Sequence, residues 1–154
     1  MAILLVQHGL SLAKEVDPER GLSEKGRKIV NDMAALANQK KVSVKRIFHS
    51  GKKRALQTAR IFALAIGPSE KVEPIDGINP TDDVKKFADS FNFDDEDIML
   101  VGHLPFLEKL VSYLITGSEE FLPVKFQNAG IICLEKSDQT DRFFIKWTLM
   151  PEIK

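Results

Sequence analysis

Two apolar runs in this chain end in the same way. Ile3-Leu4-Leu5-Val6 leads into Gln7-His8-Gly9, and Ile98-Met99-Leu100-Val101 leads into Gly102-His103. Short uninterrupted runs of this kind are the pattern of strands buried on both faces, as in the parallel sheet of an α/β domain. Each run closes on an imidazole beside a glycine, and the chain has three histidines in all. Ligands of open α/β sheets bind outside the carboxyl ends of the strands. The pattern therefore calls for a fold that can set two such strand ends side by side.

The segments between them alternate. Residues 2 to 7 read as the first strand, followed by a charged loop over 11 to 22. Ser23 reads as the N-cap of a helix reaching about residue 38, with Ala34, Ala35 and Leu36 on its apolar side. Residues 46 to 49 read as a second strand. Residues 55 to 65 read as a helix that offers Leu56, Ala59, Ile61, Phe62 and Ala65 for burial and stops at Gly67-Pro68. A brief edge strand is expected at 72 to 75, and a helix from Thr81-Asp82-Asp83 to near Phe91. The strand from Ile98 precedes a helix opening at Pro105 and closed by Gly117. The tail turns to period two over 129 to 134 and 143 to 149, an antiparallel pair about a polar turn at 136 to 141. The expectation is one domain over residues 1–154, a three-layer α/β/α arrangement around a mixed, mostly parallel sheet.

Composition narrows the function. The 154 residues suffice for one buried core without disulfides or metal. Lys+Arg and Asp+Glu are both 22, which argues against a broad basic surface for nucleic acid. No apolar run approaches the length of a membrane span, and the first run is too short for a signal peptide. Cys133, alone in Gly130-Ile131-Ile132-Cys133-Leu134, is expected to be a buried free thiol, with the cytoplasm as the compartment.

Three strand-to-helix junctions carry the chemistry. His8 beside Gly9 could attack phosphorus through a neutral ring nitrogen, provided the other nitrogen is held and positive charge surrounds the target. The plainer alternative is a strand-ending histidine satisfied by a backbone carbonyl. His103 would lie at a helix N-terminus, where free N–H groups favour an anion; the alternative is a loop histidine. In Ser50-Gly51-Lys52-Lys53-Arg54-Ala55-Leu56-Gln57-Thr58-Ala59, Arg54 could present its planar fork to phosphate oxygens or merely cover apolar residues with its stem. Lys52 and Lys53 read as solvated flank, His49 as structural or rim, and Asp82 and Asp83 as acids at a helix start.

In this order, Gln7-His8-Gly9, the Ser50 to Ala59 block and Val101-Gly102-His103-Leu104-Pro105 resemble the histidine phosphatase superfamily. Arg20-Gly21-Leu22-Ser23-Glu24-Lys25-Gly26 and the short length resemble its SixA-type phosphohistidine phosphatases. The resemblance spans nearly the whole chain. It implies the phosphoglycerate mutase-like fold and a two-step phosphatase without metal or cofactor. It makes His8 the nucleophile, with Arg54 and His103 in the catalytic pocket. Arg20, Gln7, Gly9 and Gly102 become substrate-binding positions, and arginine and imidazolium charge hold the phosphoryl group. The implied partner is a phosphohistidine-bearing protein such as a phosphotransfer domain, with phosphate as product and no nucleic acid or membrane involved. Two positions depart from the motif: Gln7 replaces its arginine, and Gly51 a common proline. Gln7 keeps open a phosphate- or phosphoprotein-binding module with weak or no catalysis, and a general small-molecule phosphomonoesterase is a further alternative.

Overall fold

In the computed structural model, which describes residues 1–153, the first strand explains its own sequence. Strand β1 (Ala2–Gln7) is the fourth of six in a sheet ordered β3-β2-β4-β1-β5-β6. The others are β2 (Arg46–His49), β3 (Val72–Pro74), β4 (Ile98–Gly102), β5 (Ile131–Lys136) and β6 (Phe143–Leu149). Strands β3, β2, β4 and β1 run parallel, and β5 and β6 add antiparallel neighbours at one edge. With β4 on one side and β5 on the other, Leu5 sits between Leu100 and Ile132.

Both faces of β1 are covered, so its apolar run has no polar alternation. Leu4 and Val6 join a core with helices α1 (Glu24–Gln39) and α2 (Lys53–Ile66). Ile3 and Leu5 join the opposite core with α3 (Val84–Ser90) and α4 (Phe106–Thr116). This is the expected three-layer α/β/α arrangement around a mixed, mostly parallel sheet. Strand β4 inserts between β1 and β2, so the carboxyl ends of all three lie next to one another, at a switch point in strand order.

Several local expectations shift. Helix α1 begins after Ser23, whose hydroxyl accepts the Gly26 N–H, but it buries Gly26, Val30, Met33, Ala34 and Ala37. Ala35 is exposed and Leu36 half-buried, because a 3.6-residue period cannot turn three consecutive residues to one side. Helix α2 starts two residues before the expected 55 and buries Ala55, Thr58, Ala59, Phe62, Ala63 and Ile66, with Leu56, Ile61 and Ala65 only half-buried. Strand β5 begins at Ile131 rather than 129, since Ala129 takes a left-handed φ of 66°. Asp83 caps α3 by accepting the Lys86 N–H, and Gly117 ends α4 at φ 83°. Cys133 is free and buried, and burial pushes its thiol up to about 11. Among the described residues no helix is long and apolar enough to cross a membrane.

One glycine shows how tightly the first loop lies on α1. A Cβ on Gly26 would stand 2.0 Å from the Leu10 carbonyl oxygen. Gly→Ala early in a helix ordinarily gains up to about 1 kcal/mol, whereas forced overlap in a packed site costs about 1–3 kcal/mol. The clash is with backbone that cannot rotate away, so it wins. Gly26→Ala is expected to lower stability by about 2 kcal/mol or more, read as a shifted urea midpoint; a more stable variant would contradict this packing.

Candidate active site

The backbone around His8 is tied from four directions. The His8 N–H donates to the Gly102 carbonyl (3.0 Å), and the Gln7 carbonyl accepts the Ala129 N–H (2.8 Å). The His8 carbonyl accepts from Asn128 Nδ2 (2.8 Å), and the Gly9 N–H donates to Thr58 Oγ1 (3.0 Å). Thr58 Oγ1 in turn donates to the Arg54 carbonyl (2.8 Å), so one hydroxyl joins the first loop to the first turn of α2. Gly9 suits this spot because a Cβ there would lie 2.5 Å from Val30 Cγ2.

The ring of His8 has its protonation assigned by its partners. Nδ1 lies 2.7 Å from the Gly9 carbonyl, which can only accept. Nε2 lies 3.3 Å from Arg54 Nε, which can only donate. The proton therefore sits on Nδ1, and Nε2 carries the lone pair. Burial lowers the His8 pKa to about 4, against the effect of the Gly9 carbonyl and with help from the Arg54 and Arg20 charges. His8 is neutral at pH 7.

His103 follows β4 and is 1% exposed. Its carbonyl accepts the Leu107 N–H of α4 (2.9 Å). Its ring stands 5.0 Å from that of His8, tilted by 52°. Nε2 lies 2.6 Å from Ser50 Oγ, at the end of β2, while Nδ1 has no partner among the described residues. Burial first, then the proximity of His8, Arg54, Lys52 and Arg20, lowers its pKa to about 3. The expected imidazolium is therefore not the resting state: His103 is neutral, and the site's fixed charge comes from guanidinium groups. An anion entering the site would raise its proton affinity.

Those guanidinium groups come from the first turn of α2 and from the loop ahead of α1. Arg54 is half-buried on the first turn of α2, and burial, with Arg20 nearby, lowers its pKa from the ordinary value. Arg20 adopts a left-handed φ of 53° and reaches the Leu12 carbonyl (3.4 Å) and Ser11 Oγ (3.2 Å). Its loop is fastened by Asp17, which accepts the Glu19 and Gly21 N–H groups and pairs with Lys53 at 3.0 Å. Gln57 Oε1 accepts the Leu22 N–H (2.7 Å). The charges felt by His8 are those of Arg54 and Arg20, and those felt by His103 are all cationic or imidazole. No carboxylate is among them.

The structure thus brings His8, Arg20, Arg54 and His103 together at one sheet edge. Gly9 and Gly102 are there as well, but the amide of Gly9 and the carbonyl of Gly102 are engaged by Thr58 and His8. Their contribution is to shape the loop. Gln7 ends β1 beside Gly102, half-buried. Asp82 and Asp83 serve local turns, accepting the Asn79 and Lys86 N–H groups. His49 is buried and accepts the Gly51 N–H at 3.1 Å, a structural role. Ser50, Thr58 and Asn128 were not among the expected site residues. Thr58 could have been found, one turn beyond Arg54 on the same helix; Asn128 sits 120 residues from His8 in a loop without a pattern.

A titration follows directly. The His8 and His103 NMR resonances are expected to show no midpoint near 6.5, with His8 changing near pH 4 and His103 near pH 3. Added phosphate should move both upward, because an anion favours the charged imidazole. A His8 midpoint near 6.5 would contradict the burial described here.

No protein-family model and no curated protein matches the chain by sequence. Solved structures do match by shape. The protein histidine phosphatase SixA complexed with tungstate superposes with a TM-score of 0.79 at 20% identity, covering 98% of this chain and 97% of that one. A putative phosphohistidine phosphatase SixA from Agrobacterium tumefaciens gives 0.76 at 23%, covering 97% of each chain. A putative alpha-ribazole-5'-P phosphatase from Escherichia coli gives 0.78 at 17%, covering 100% and 99%. Likeness over nearly the whole length of each chain shows that this chain shares the fold of these solved phosphatases.

Proposed function

We propose that this protein is a phosphohistidine phosphatase that removes phosphate from a histidine of another protein through a covalent phospho-His8 intermediate. The observation that carries the reading is the unprotonated Nε2 of His8 beside the Arg54 guanidinium, with the Arg20 charge near enough to lower the His8 pKa. In the first step Nε2 forms a bond to phosphorus as the P–N bond to the substrate imidazole breaks in line. The leaving imidazole, already protonated from solvent on its other ring nitrogen, departs neutral and keeps the electron pair of the P–N bond. In the second step water attacks phospho-His8, giving inorganic phosphate and returning His8. Arg54 and Arg20 stabilise the charge on the phosphoryl oxygens, and His103 joins them once the dianion has raised its proton affinity. No metal or cofactor enters this scheme.

The cationic surroundings bear on substrate class. An alkoxide leaving group needs a general acid, whereas a phosphoramidate nitrogen can be protonated before its bond breaks. A site whose reacting ring is faced by an imidazole and a guanidinium suits the second. Incubation with a phosphohistidine-bearing domain and with p-nitrophenyl phosphate separates the two. Phosphate release from the domain is expected, and equal or exclusive release from the ester would favour a general phosphomonoesterase.

Gln7 favours a second reading, a phosphate- or phosphoprotein-binding module. A glutamine amide can donate to phosphate but carries no charge, and losing a charge-assisted hydrogen bond costs about 1.5–3 kcal/mol. That is roughly one to two decades in rate, which weakens an enzyme that retains Arg20 and Arg54. Gln7→Arg is expected to raise kcat/KM by that factor. Phosphate binding with no turnover in either form would establish the binding module instead. The buried free thiol of Cys133 suits a reducing compartment, and we place the protein in the cytoplasm.

A further inference from the structure

The 11–22 loop and the junction between β2 and α2 form two lips around an open cleft of about 670 Å3, lined by Lys14, Arg20, Lys52, Lys53 and Arg54. Arg20 and Arg54 act on the imidazoles. Lys53 is occupied by Asp17 at 3.0 Å and Glu19 at 3.7 Å. Lys14 and Lys52 are exposed, one on each lip, and neither has an ion pair among the described residues. Glu19 is the one carboxylate among the described residues that line the cleft. The whole chain balances 22 cations with 22 anions, so this gathering of cations is local.

We propose that Lys14 and Lys52 form a docking rim for an acidic protein surface that surrounds the target phosphohistidine. The proposal rests on the phosphohistidine reading above and adds the chemistry of the partner. A phosphoryl group is matched by the two guanidiniums; Lys14 stands outside that contact, Lys52 is exposed at its margin with its charge reaching His103, and the two lie on chain segments about 40 residues apart. Two unpaired cations on opposite lips complement acids on both sides of a protruding phosphoryl group. Rim charges of this kind steer encounter and respond to salt more than they set tight affinity.

The test uses free phosphohistidine and two fluorescein-labelled phosphohistidine peptides, one with glutamates on both sides of the histidine and one with serines. Wild-type protein is expected to favour the acidic peptide in kcat/KM by about tenfold at low salt, and the preference should collapse as salt screens the rim. Lys14→Glu should weaken that preference while leaving hydrolysis of free phosphohistidine within about twofold. Lys14→Glu/Lys52→Glu should reverse it. Anisotropy measured on the same proteins reads docking without turnover. Hydrolysis with no preference between the peptides overturns the rim and spares the phosphatase reading. Acidic preference in binding with no hydrolysis of any substrate overturns the phosphatase reading and supports the rim. Lysine-dependent competition by pyrophosphate far stronger than by phosphate, with no peptide preference, also overturns the rim, in favour of a small polyanion.

Discussion

Replacing His8 with alanine is expected to abolish turnover, with kcat on phosphohistidine falling by at least about 10³-fold. Two features make the loss this large. The nucleophilic atom disappears, so the reaction can no longer divide into two displacements. Water in its place would have to attack with only His103 and the guanidinium charges around it, groups to which the proposed mechanism gives the phosphoryl oxygens to hold. The variant should nevertheless fold. Gln7 and Gly9 keep their ties to Ala129 and Thr58, and the His8 N–H and carbonyl still meet Gly102 and Asn128. Truncation also removes a ring whose burial disfavours its charged form, so no ion is left unpaired. Steady-state phosphate release, together with an unchanged thermal transition, checks the expectation. Residual activity within about tenfold of wild type would remove His8 from the nucleophile's role.

Arg54→Ala is expected to lower kcat/KM by about 10²–10³, the range for losing a preorganised charged donor aimed at developing charge. Arg54 is the guanidinium that contributes most to the shifts of both imidazoles. Its charge reaches both imidazoles, and its Nε holds the reactive nitrogen of His8 at 3.3 Å. Its backbone carbonyl accepts from Thr58, a contact that survives truncation. Alanine is a good helix former in this first turn, so stability should change little. A second readout distinguishes loss of charge from loss of packing. The Arg54 charge depresses the His8 pKa, so the variant's His8 midpoint should rise above about 4 while staying below its ordinary value, because burial remains. Arg54→Lys keeps a point charge but not the planar fork, and should recover only part of the rate. Full activity in Arg54→Ala would contradict the assigned geometry.

Much of this site was legible because strand ends declare themselves. An apolar run without alternation means burial on both faces, and a histidine at its end means a ring at the sheet's carboxyl edge. That logic placed His8 and His103 correctly, and the Ser50 to Ala59 block added Arg54 by the same route. The order of strands was not legible: nothing in β4 says that it inserts between β1 and β2, although this insertion brings the two imidazoles to 5.0 Å. The neutral state of His103 was missed too. A sequence shows that an imidazole lies near arginines, but its charge depends on burial, and a 1% exposed ring among cations sheds its proton. The backbone ties of Gly9 and Gly102 were not legible either. Both stand beside the His8 ring, yet the Gly9 N–H is held by Thr58 and the Gly102 carbonyl by the His8 N–H. Asn128 gave no signal at all, since a side chain that braces a carbonyl 120 residues away belongs to no periodic pattern.

The claim on which the rest depends is that a neutral imidazole nitrogen, set among fixed guanidinium charges, accepts the phosphoryl group. Rapid-quench trapping with a radiolabelled phosphohistidine domain tests it directly. Wild-type protein should acquire label that is stable to alkali, lost in acid and located by mass spectrometry on His8, and His8→Ala should acquire none. Phosphate release without labelled protein, or label located on any other residue, would contradict the account.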